Sequence, residues 1–156
     1  MKIKFSSLAI AVGCCACAGV SACDNPVPQV LASVQESHVV ANAPASGEFE
    51  TLLLRDLGAY FTSQGMAEPQ VKFEMLRRGP TQSGVAYPKY YLWTSASSAN
   101  GDTMIGAVRV AAIDRTRFEI TDFVSQQEVL ANPDAIASVF PAALLAAIEA
   151  KAASPQ

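Results

Sequence analysis

The position of the cysteines constrains this chain more than any other feature. All four lie within the first 23 of 156 residues, at positions 14, 15, 17 and 23. The rest of the chain must therefore fold without a disulfide framework, a cysteine-based metal site or a catalytic thiol. Its stability has to come from the burial of apolar side chains.

The first 22 residues have the pattern of an export signal. Lys2 and Lys4 precede an apolar run over residues 8–20. The run is shorter than the about 20 apolar residues of a permanent membrane-spanning helix, and it has the length of the apolar part of a signal peptide. Small residues for cleavage follow at Val20-Ser21-Ala22, directly before Cys23.

Val20-Ser21-Ala22-Cys23 resembles the lipobox of bacterial lipoproteins, which reads aliphatic, small, small, cysteine. The resemblance covers the first 23 residues. It implies that the leader is removed before Cys23 and that the thiol and the new amine of Cys23 carry acyl chains. Several chains hold a protein stably at a membrane, whereas one is marginal. This covalent lipid is the only prosthetic group we expect, and the chain is expected to bind no metal or other cofactor.

Alternatives to this lipidation site remain open. Ala11-Val12-Gly13-Cys14 is a weaker lipobox, because it leaves a very short apolar run. A plain secreted protein cut after Ala22 is another alternative, and a cytosolic protein with a buried N-terminal helix is a third. Asp24, directly after the lipidated cysteine, resembles the signal that retains enterobacterial lipoproteins in the inner membrane. We therefore expect an envelope protein anchored at the periplasmic face of the inner membrane.

Composition limits the partners of the remaining chain. Without Lys2 and Lys4, 9 basic residues stand against 14 acidic ones. An acidic surface argues against nucleic acid, which binds clustered Lys and Arg, and against electrostatic docking on anionic lipid. We expect the membrane as a partner through the anchor, and an envelope protein or an unknown small molecule as a ligand.

The chain is expected to contain one folded domain. Residues 1–22 are the signal, and residues 23–46 are the lipidated cysteine and a flexible tether rich in Pro, Ala and Ser. A single α+β domain follows over 47–152, with a tail at 153–156. His38, the only histidine, lies in the tether, where nothing would hold it in place as a catalytic base.

A helix is predicted at the start of the domain, over residues 47–65. Its apolar residues recur at spacings of three and four. Ser46 is a plausible N-cap, and Gly65 is placed to end the helix. The stripe consists of Phe49, Leu52, Leu53, Leu57, Tyr60 and Phe61.

Four strands are predicted next, because apolar and polar residues alternate or aromatic residues cluster. Asn100-Gly101 marks a hairpin turn between the second and the third. A three-residue loop over residues 114–116 would pair Ala112 with Phe118 and Val110 with Ile120, and would bring Arg109 diagonally near Glu119. The strands cover residues 70–78, 87–95, 103–113 and 117–124.

The C-terminal part is predicted to be helical. Asn132 can cap a helix with Pro133 at its first position, and Pro141 should produce a kink or two short helices. The apolar span over residues 135–148 is too short to cross a membrane and suits docking on a core. A helix lying flat in the membrane is the rival interpretation, although Lys151 is the only basic residue on its polar side.

These elements define an α+β fold: an N-terminal helix, a four-stranded antiparallel meander and C-terminal helices. Their order resembles cystatin-like and NTF2-like rolls. The resemblance is carried by element order alone, and a fold of this kind implies no particular function.

The sequence contains no phosphate-binding loop, metalloprotease motif or EF-hand loop. Arg77 shares the parity of Val71 and Phe73, and Asp122 shares that of Phe118. Both charged residues are therefore expected to point toward the core side near the ends of their strands. They could line the mouth of a concave sheet, but strand ends or a structural ion pair are the favoured interpretation.

The aromatic residues of the second strand are a second candidate site. Tyr91 and Trp93 could form ligand-stacking walls beside Arg77 and Asp122. Because Tyr90 and Tyr91 must face opposite sides of the sheet, one of them is expected to be exposed. An exposed patch over Tyr90, Tyr91 and Trp93 could hold a partner.

The sequence favours a non-enzymatic binding or accessory module held at the membrane by lipid. The alternative is an NTF2-like enzyme with a small-molecule pocket, in which Asp122 acts as acid or base. A third hypothesis, a cystatin-like inhibitor, lacks the glutamine-valine-glycine loop of that family.

Overall fold

The computed structural model describes residues 43–83 and 86–155. The leader, the lipobox, Asp24 and His38 lie outside the described residues. The predicted α+β order is confirmed, with a helix, four antiparallel strands and C-terminal helices. The elements are α1 (Ser46–Ser63), β1 (Gln70–Met75), β2 (Lys89–Ser97), β3 (Thr103–Ile113), β4 (Arg117–Ser125), α2 (Gln126–Ala131), α3 (Asp134–Ala137) and α4 (Ala142–Ala153).

The four strands form one antiparallel meander in the order β1-β2-β3-β4. Ala112 pairs with Phe118 and Val110 pairs with Ile120, as the sequence predicted. The β3–β4 turn holds Asp114 and Arg115 at φ of 53° and 60°, the left-handed backbone of a tight hairpin turn. The short loop therefore fixes the register at this end of the sheet.

A β-bulge changes the register farther along the β3–β4 pair. Val110 lies opposite Ile120, but its neighbour Arg109 lies opposite Asp122, which leaves Thr121 as an extra residue in β4. An inserted residue moves all following side chains to the other face of the sheet. The expected parity of Asp122 with Ile120 is therefore wrong. Glu119 lies opposite Ala111, diagonal to Arg109 as predicted, but the carboxylate that Arg109 binds is that of Asp122.

Helix α1 packs on one face of the sheet, here called the α1 face. Leu53, Leu57 and Phe61 of this helix are fully buried. Gly65, at φ 96°, ends the helix, and the N–H of Met66 donates to the carbonyl oxygen of Phe61 at 3.1 Å. This is the left-handed helix end that glycine permits. The N-cap is Ala45 rather than the predicted Ser46, which is already the first helical residue.

The other face, here called the C-terminal face, is covered by α2, α3 and α4. Tyr91 and Trp93 of β2 lie in one apolar cluster with Ile136, Phe140 and Ile148 of the helices and their connections. The C-terminal helices thus pack on their own sheet. No helix of the described residues is long and apolar enough to span a membrane.

The C-terminal helices differ in detail from the prediction. Helix α2 was not predicted; Ser125 caps it by accepting from the N–H of Glu128 at 3.2 Å, and the Glu128 carboxylate accepts from the Ser125 N–H at 2.9 Å. Asn132 ends α2 instead of capping the next helix, and Pro133 precedes α3. Pro141 separates α3 from α4, which confirms the predicted break.

Candidate functional site

The α1 face is covered unevenly. An α-helix with its side chains is about 10 Å wide. Four strands at about 4.8 Å spacing form a sheet roughly twice as wide, so one helix covers about half of it. Val108 and Val110 in β3 are completely buried. Val71, Phe73 and Met75 point to the same face from β1 but are only half-buried.

The placement of α1 explains this difference, because its contacts favour the β4 side of the sheet. The ring of Phe49 packs edge-on against Phe118 with centroids 4.9 Å apart. The Asp56 carboxylate accepts from the Phe118 N–H at 2.6 Å, and Arg55 donates to the carbonyl oxygen of Thr116 at 2.8 Å. Within residues 43–83 and 86–155 no second helix covers the half of this face over β1, so that half is the more open one.

An apolar groove occupies this open half, and we call it the α1–β1 groove. Its volume is about 1050 Å³. Phe73, Met75 and Tyr90 form the floor, and Phe49 with residues 43–46 forms the wall on the helix side. The groove is mostly apolar and opens widely to solvent, so it is a surface on which an apolar ligand or peptide could dock rather than an enclosed pocket.

Charge is sparse in the α1–β1 groove. Among its described lining residues Glu50 and Arg115 are ionisable and charged. Arg115 holds a left-handed backbone conformation at φ 60°, which costs a residue with a Cβ about 1 kcal/mol. Burial raises the pKa of the Tyr90 phenol above its usual value, so Tyr90 stays neutral at physiological pH.

The two charged candidates from the sequence do not form a common site. β1 ends at Met75, and Arg77 lies in the following bend, exposed to solvent. Asp122 lies in β4, at the opposite edge of the sheet, where its carboxylate accepts from Arg109 Nε at 2.6 Å. Two strands therefore separate Arg77 from Asp122.

Arg109 and Asp122 form a structural ion pair on the C-terminal face. The Arg109 Nη2 and Asp122 Oδ2 atoms are 2.5 Å apart, and each side chain is about a quarter exposed, at 23% and 24%. Arg109 Nη1 also donates to the carbonyl oxygen of Val139 at 2.9 Å. The pair thus fastens the α3–α4 connection to the sheet.

The aromatic candidates are all buried. Tyr90 is 6%, Tyr91 4% and Trp93 5% exposed. The expectation that one of the two tyrosines is exposed is wrong, because the ring of Phe49 packs on Tyr90 at the edge of the groove and Phe140 packs on Tyr91 from the C-terminal side. The Tyr91 hydroxyl lies 2.7 Å from Thr81 Oγ1, and Tyr90 is the candidate that lines the α1–β1 groove.

Three lining residues, Phe49, Phe73 and Met75, were assigned to the core by their periodicity rather than to a site. The alternation of β1 showed which way Phe73 and Met75 point, but no sequence signal shows that the helix leaves them half-covered. Among the described residues no group of three or more His, Cys, Asp or Glu could hold a metal ion.

Comparison of the chain with protein-family models, with curated proteins and with solved structures finds no match.

Proposed function

We propose that this chain is a lipid-anchored protein of the bacterial cell envelope whose folded domain is a non-enzymatic binding module. The α1–β1 groove is the observation that carries the binding role. The lipobox pattern ending at Cys23 supports the anchor, and Asp24 supports the periplasmic face of the inner membrane. A domain held in this way presents its groove to other molecules near the membrane.

The form of the groove favours an amphipathic helix of an envelope protein as the ligand. The floor is a strip of sheet beside α1, and the side chains Phe73, Met75 and Tyr90 make it predominantly apolar. Helix-in-groove recognition uses such a strip to receive anchors spaced at i, i+3, i+4 and i+7. The sparse charge of the lining gives little selectivity for a charged small molecule.

The enzymatic alternative with Asp122 as acid or base has less support. Its carboxylate lies on the C-terminal face, opposite the groove, and Arg109 holds it in an ion pair. An acid or base must reach the reacting atom of a bound substrate. The groove and Asp122 are on different sides of the sheet, so they do not combine into one site.

The anchor is tested by the intact mass of the protein extracted from its native membrane fraction, beside Cys23→Ser. The expected product begins at Cys23, is heavier by several acyl groups and is lost in the variant. An unmodified chain cut after Ala22 and free in the soluble fraction would contradict the anchor.

The groove is tested with 1-anilinonaphthalene-8-sulfonate, an anionic fluorophore that binds apolar surfaces, as a probe. Met75→Asp places a charge on the apolar floor, and we expect it to weaken probe binding about tenfold, while Met75→Leu retains binding. Leu130→Asp is the matched control, because Leu130 is an exposed apolar residue on α2, outside the groove lining. Equal probe affinity in Met75→Asp and Leu130→Asp would refute the binding role of the groove.

A further inference from the structure

The two edges of the sheet differ in how well they are protected. At the β4 edge the bulge at Thr121 interrupts the register, and the Asp56 carboxylate occupies the Phe118 N–H at 2.6 Å. Bulges and covered edge groups keep a strand from pairing with another sheet. β1 has a regular register over Gln70–Met75, and β2 is its only partner strand among the described residues. β1 is therefore the edge that can accept a further strand.

The outer edge of β1 presents the backbone groups of Val71, Phe73 and Met75. The Leu76 N–H donates to the carbonyl oxygen of Tyr91 in β2 at 2.9 Å. Backbone groups of successive residues point alternately to the two sides of a strand. Every second residue counted back from Leu76 thus faces β2, and the residues between them direct their N–H and C=O groups outward.

The polar side of β1 carries charges of both signs. Lys72 and Glu74 are exposed on the C-terminal face. Glu74 accepts from Lys151 at 2.6 Å, but its side chain stays 66% exposed, which leaves room for a second cation. Lys72 has no ion-pair partner among the described residues.

Antiparallel pairing of β1 with β1 of a second copy, about a twofold axis at Phe73, satisfies all of these groups. Phe73 lies opposite its own equivalent, and Val71 lies opposite Met75 of the partner subunit. These outward-facing residues form the hydrogen-bonded pairs. Lys72 then lies opposite Glu74 of the partner subunit, in the non-hydrogen-bonded pairs in which side chains approach most closely.

The charges favour this register over its neighbours. A shift by two residues places Lys72 opposite Lys72 of the partner subunit, or Glu74 opposite Glu74 of the partner subunit, and like charges in opposite positions are destabilising. A shift by one residue brings the apolar side of one strand onto the polar side of the other. A lysine on an edge strand ordinarily discourages pairing, but in the central register it meets a carboxylate.

We infer that this protein forms a symmetric dimer through its β1 edges, with Phe73 at the twofold axis and Lys72 bound to Glu74 of the partner subunit. The interface is isologous, because the same strand supplies both sides. The axis is perpendicular to the sheet, so the two four-stranded sheets join into one and both α1 helices lie on the same face.

Dimerisation has a consequence for the α1–β1 groove. Val71, Phe73 and Met75, which are half-buried in one copy, pack beside the same residues of the second copy. The two grooves then adjoin and share an apolar floor, with α1 of each copy as the outer walls. The inference stands on the strand edge alone and does not require that the proposed ligand exists.

Disulfide crosslinking in the native membrane fraction tests the register. Full-length Lys72→Cys and Glu74→Cys chains are expressed separately and together. Opposite residues of a non-hydrogen-bonded pair have Cα atoms about 4.5 Å apart, within the range of a disulfide, whereas two copies of position 72 lie diagonally, about 7–8 Å apart. We expect at least tenfold more disulfide-linked dimer from the mixture than from either variant alone.

Two controls accompany the crosslinking. The native cysteines all lie within the first 23 residues, so the chain without an introduced cysteine shows their background. Lys72→Cys together with Leu130→Cys, an exposed position on α2, measures random collision. A Lys72–Glu74 mixture that gives no more dimer than this pair, or no more than its single variants, would overturn the inference.

Exchange of the charges provides a second test, without cysteines. Lys72→Glu alone and Glu74→Lys alone each bring like charges together, and we expect dimerisation about tenfold weaker than in the wild type. A mixture of the two variants places opposite charges together again and should regain it as a heterodimer. Sedimentation equilibrium of the full-length protein in density-matched detergent measures the association.

Matched variants on the other edge complete this test. Arg117→Glu and Glu119→Lys make the same changes of charge at exposed positions of β4 and should leave dimerisation unchanged. Equal weakening by the substitutions on both edges, or a mixture that associates no better than its components, would overturn the β1 dimer.

Discussion

Helices cover the two faces of the sheet to different degrees. On the C-terminal face three short helices bury Tyr91 and Trp93. On the α1 face the cover is α1, which with 18 residues is the longest helix among the described residues. The β1 side chains on this face, Val71, Phe73 and Met75, are nevertheless only half-buried. Cover therefore depends on the number and lateral position of helices rather than on their length. The proposed binding surface lies on the face with less cover.

Polar contacts follow the same division. On the C-terminal face Arg109 joins β3 to the carbonyl of Val139, and Lys151 of α4 reaches Glu74 of β1 at 2.6 Å. These contacts hold the helices across the width of the sheet. On the α1 face the contacts of Arg55 and Asp56 lie at the β4 side, so polar contacts secure the helix at one side of the sheet.

The largest expected effect on stability comes from a substitution on the C-terminal face. Ile148 of α4 is fully buried against the sheet, and Ile148→Ala should lower the free energy of unfolding by about 2–5 kcal/mol because it leaves a cavity. Val71→Ala on the half-covered strand should cost about 1 kcal/mol or less. Urea unfolding followed by the fluorescence of Trp93, the only tryptophan, measures both. Equal losses in the free energy of unfolding for the two variants would contradict the difference in cover between the two faces.

Loss of the Arg109–Asp122 ion pair on the C-terminal face should have the next largest effect on stability. Arg109→Met removes the donor to Asp122 and to Val139. We expect a loss of about 1–2 kcal/mol, below the value for a fully buried charged hydrogen bond, since the pair is about a quarter exposed. The double variant with Asp122→Asn should cost less than the two single losses together. Full additivity would mean that the pair is not coupled.

The cap of α2 gives a smaller effect with a defined pH dependence. The backbone N–H of Ser125 and then its hydroxyl lower the pKa of Glu128. A lowered folded-state pKa means that the stabilisation is complete above the usual glutamate pKa and is lost as the pH falls through the lowered value. Glu128→Gln should therefore be less stable than the wild type at pH 7, with a difference of up to about 1 kcal/mol.

The difference between wild type and Glu128→Gln should shrink in acid. Thermal unfolding at pH 7 and near pH 3 measures it. A difference that stays constant over this range would show that the carboxylate does not act through its charge.

The smallest effect is expected at the start of α1, beside the groove. Ala45 is the N-cap residue, with φ −57° and ψ 146°, and its side chain cannot accept a hydrogen bond. Ala45→Asp should stabilise the fold by about 0.5–1 kcal/mol, because an aspartate caps the helix and favours its positive end. Ala45→Asn separates the cap from the charge. Thermal melts that show no gain for either variant would contradict the expected capping.

Periodicity predicted the parts of the fold in which local sequence decides the structure. β3 has the predicted bounds, and Ala112 faces Phe118 because a three-residue loop and a two-residue repeat leave one register that keeps apolar residues together. Gly65 ends α1 for an equally local reason, since its backbone at φ 96° suits glycine.

The failures have identifiable causes. Simple alternation along β4 predicts that Asp122 and Ile120 lie on the same face. The bulge at Thr121 interrupts the alternation, so Asp122 points to the face opposite Ile120. The spacing of Ser125 and Glu128 is a capping-box signal that could have identified α2. In β2 the run of apolar residues on both sides favoured a strand covered on both faces, which would have predicted that Tyr90 and Tyr91 are both buried.

The groove could not be predicted from the chain alone. The sequence shows that Phe73 and Met75 face the helix, but their exposure depends on where α1 lies across the sheet. That position is set by long-range contacts such as Phe49 with Phe118 and Asp56 with the Phe118 N–H. Such contacts leave no periodic signal in the sequence.

The proposed binding surface can be located by backbone amide shifts in two-dimensional ¹H–¹⁵N spectra, recorded while 1-anilinonaphthalene-8-sulfonate is added. We expect shifts concentrated around Phe49, Phe73, Met75 and Tyr90, in the lining of the α1–β1 groove, and little change over α2 to α4. Shifts concentrated on the C-terminal helices, or no localised shifts at saturating probe, would contradict the claim that the α1 face is the binding surface.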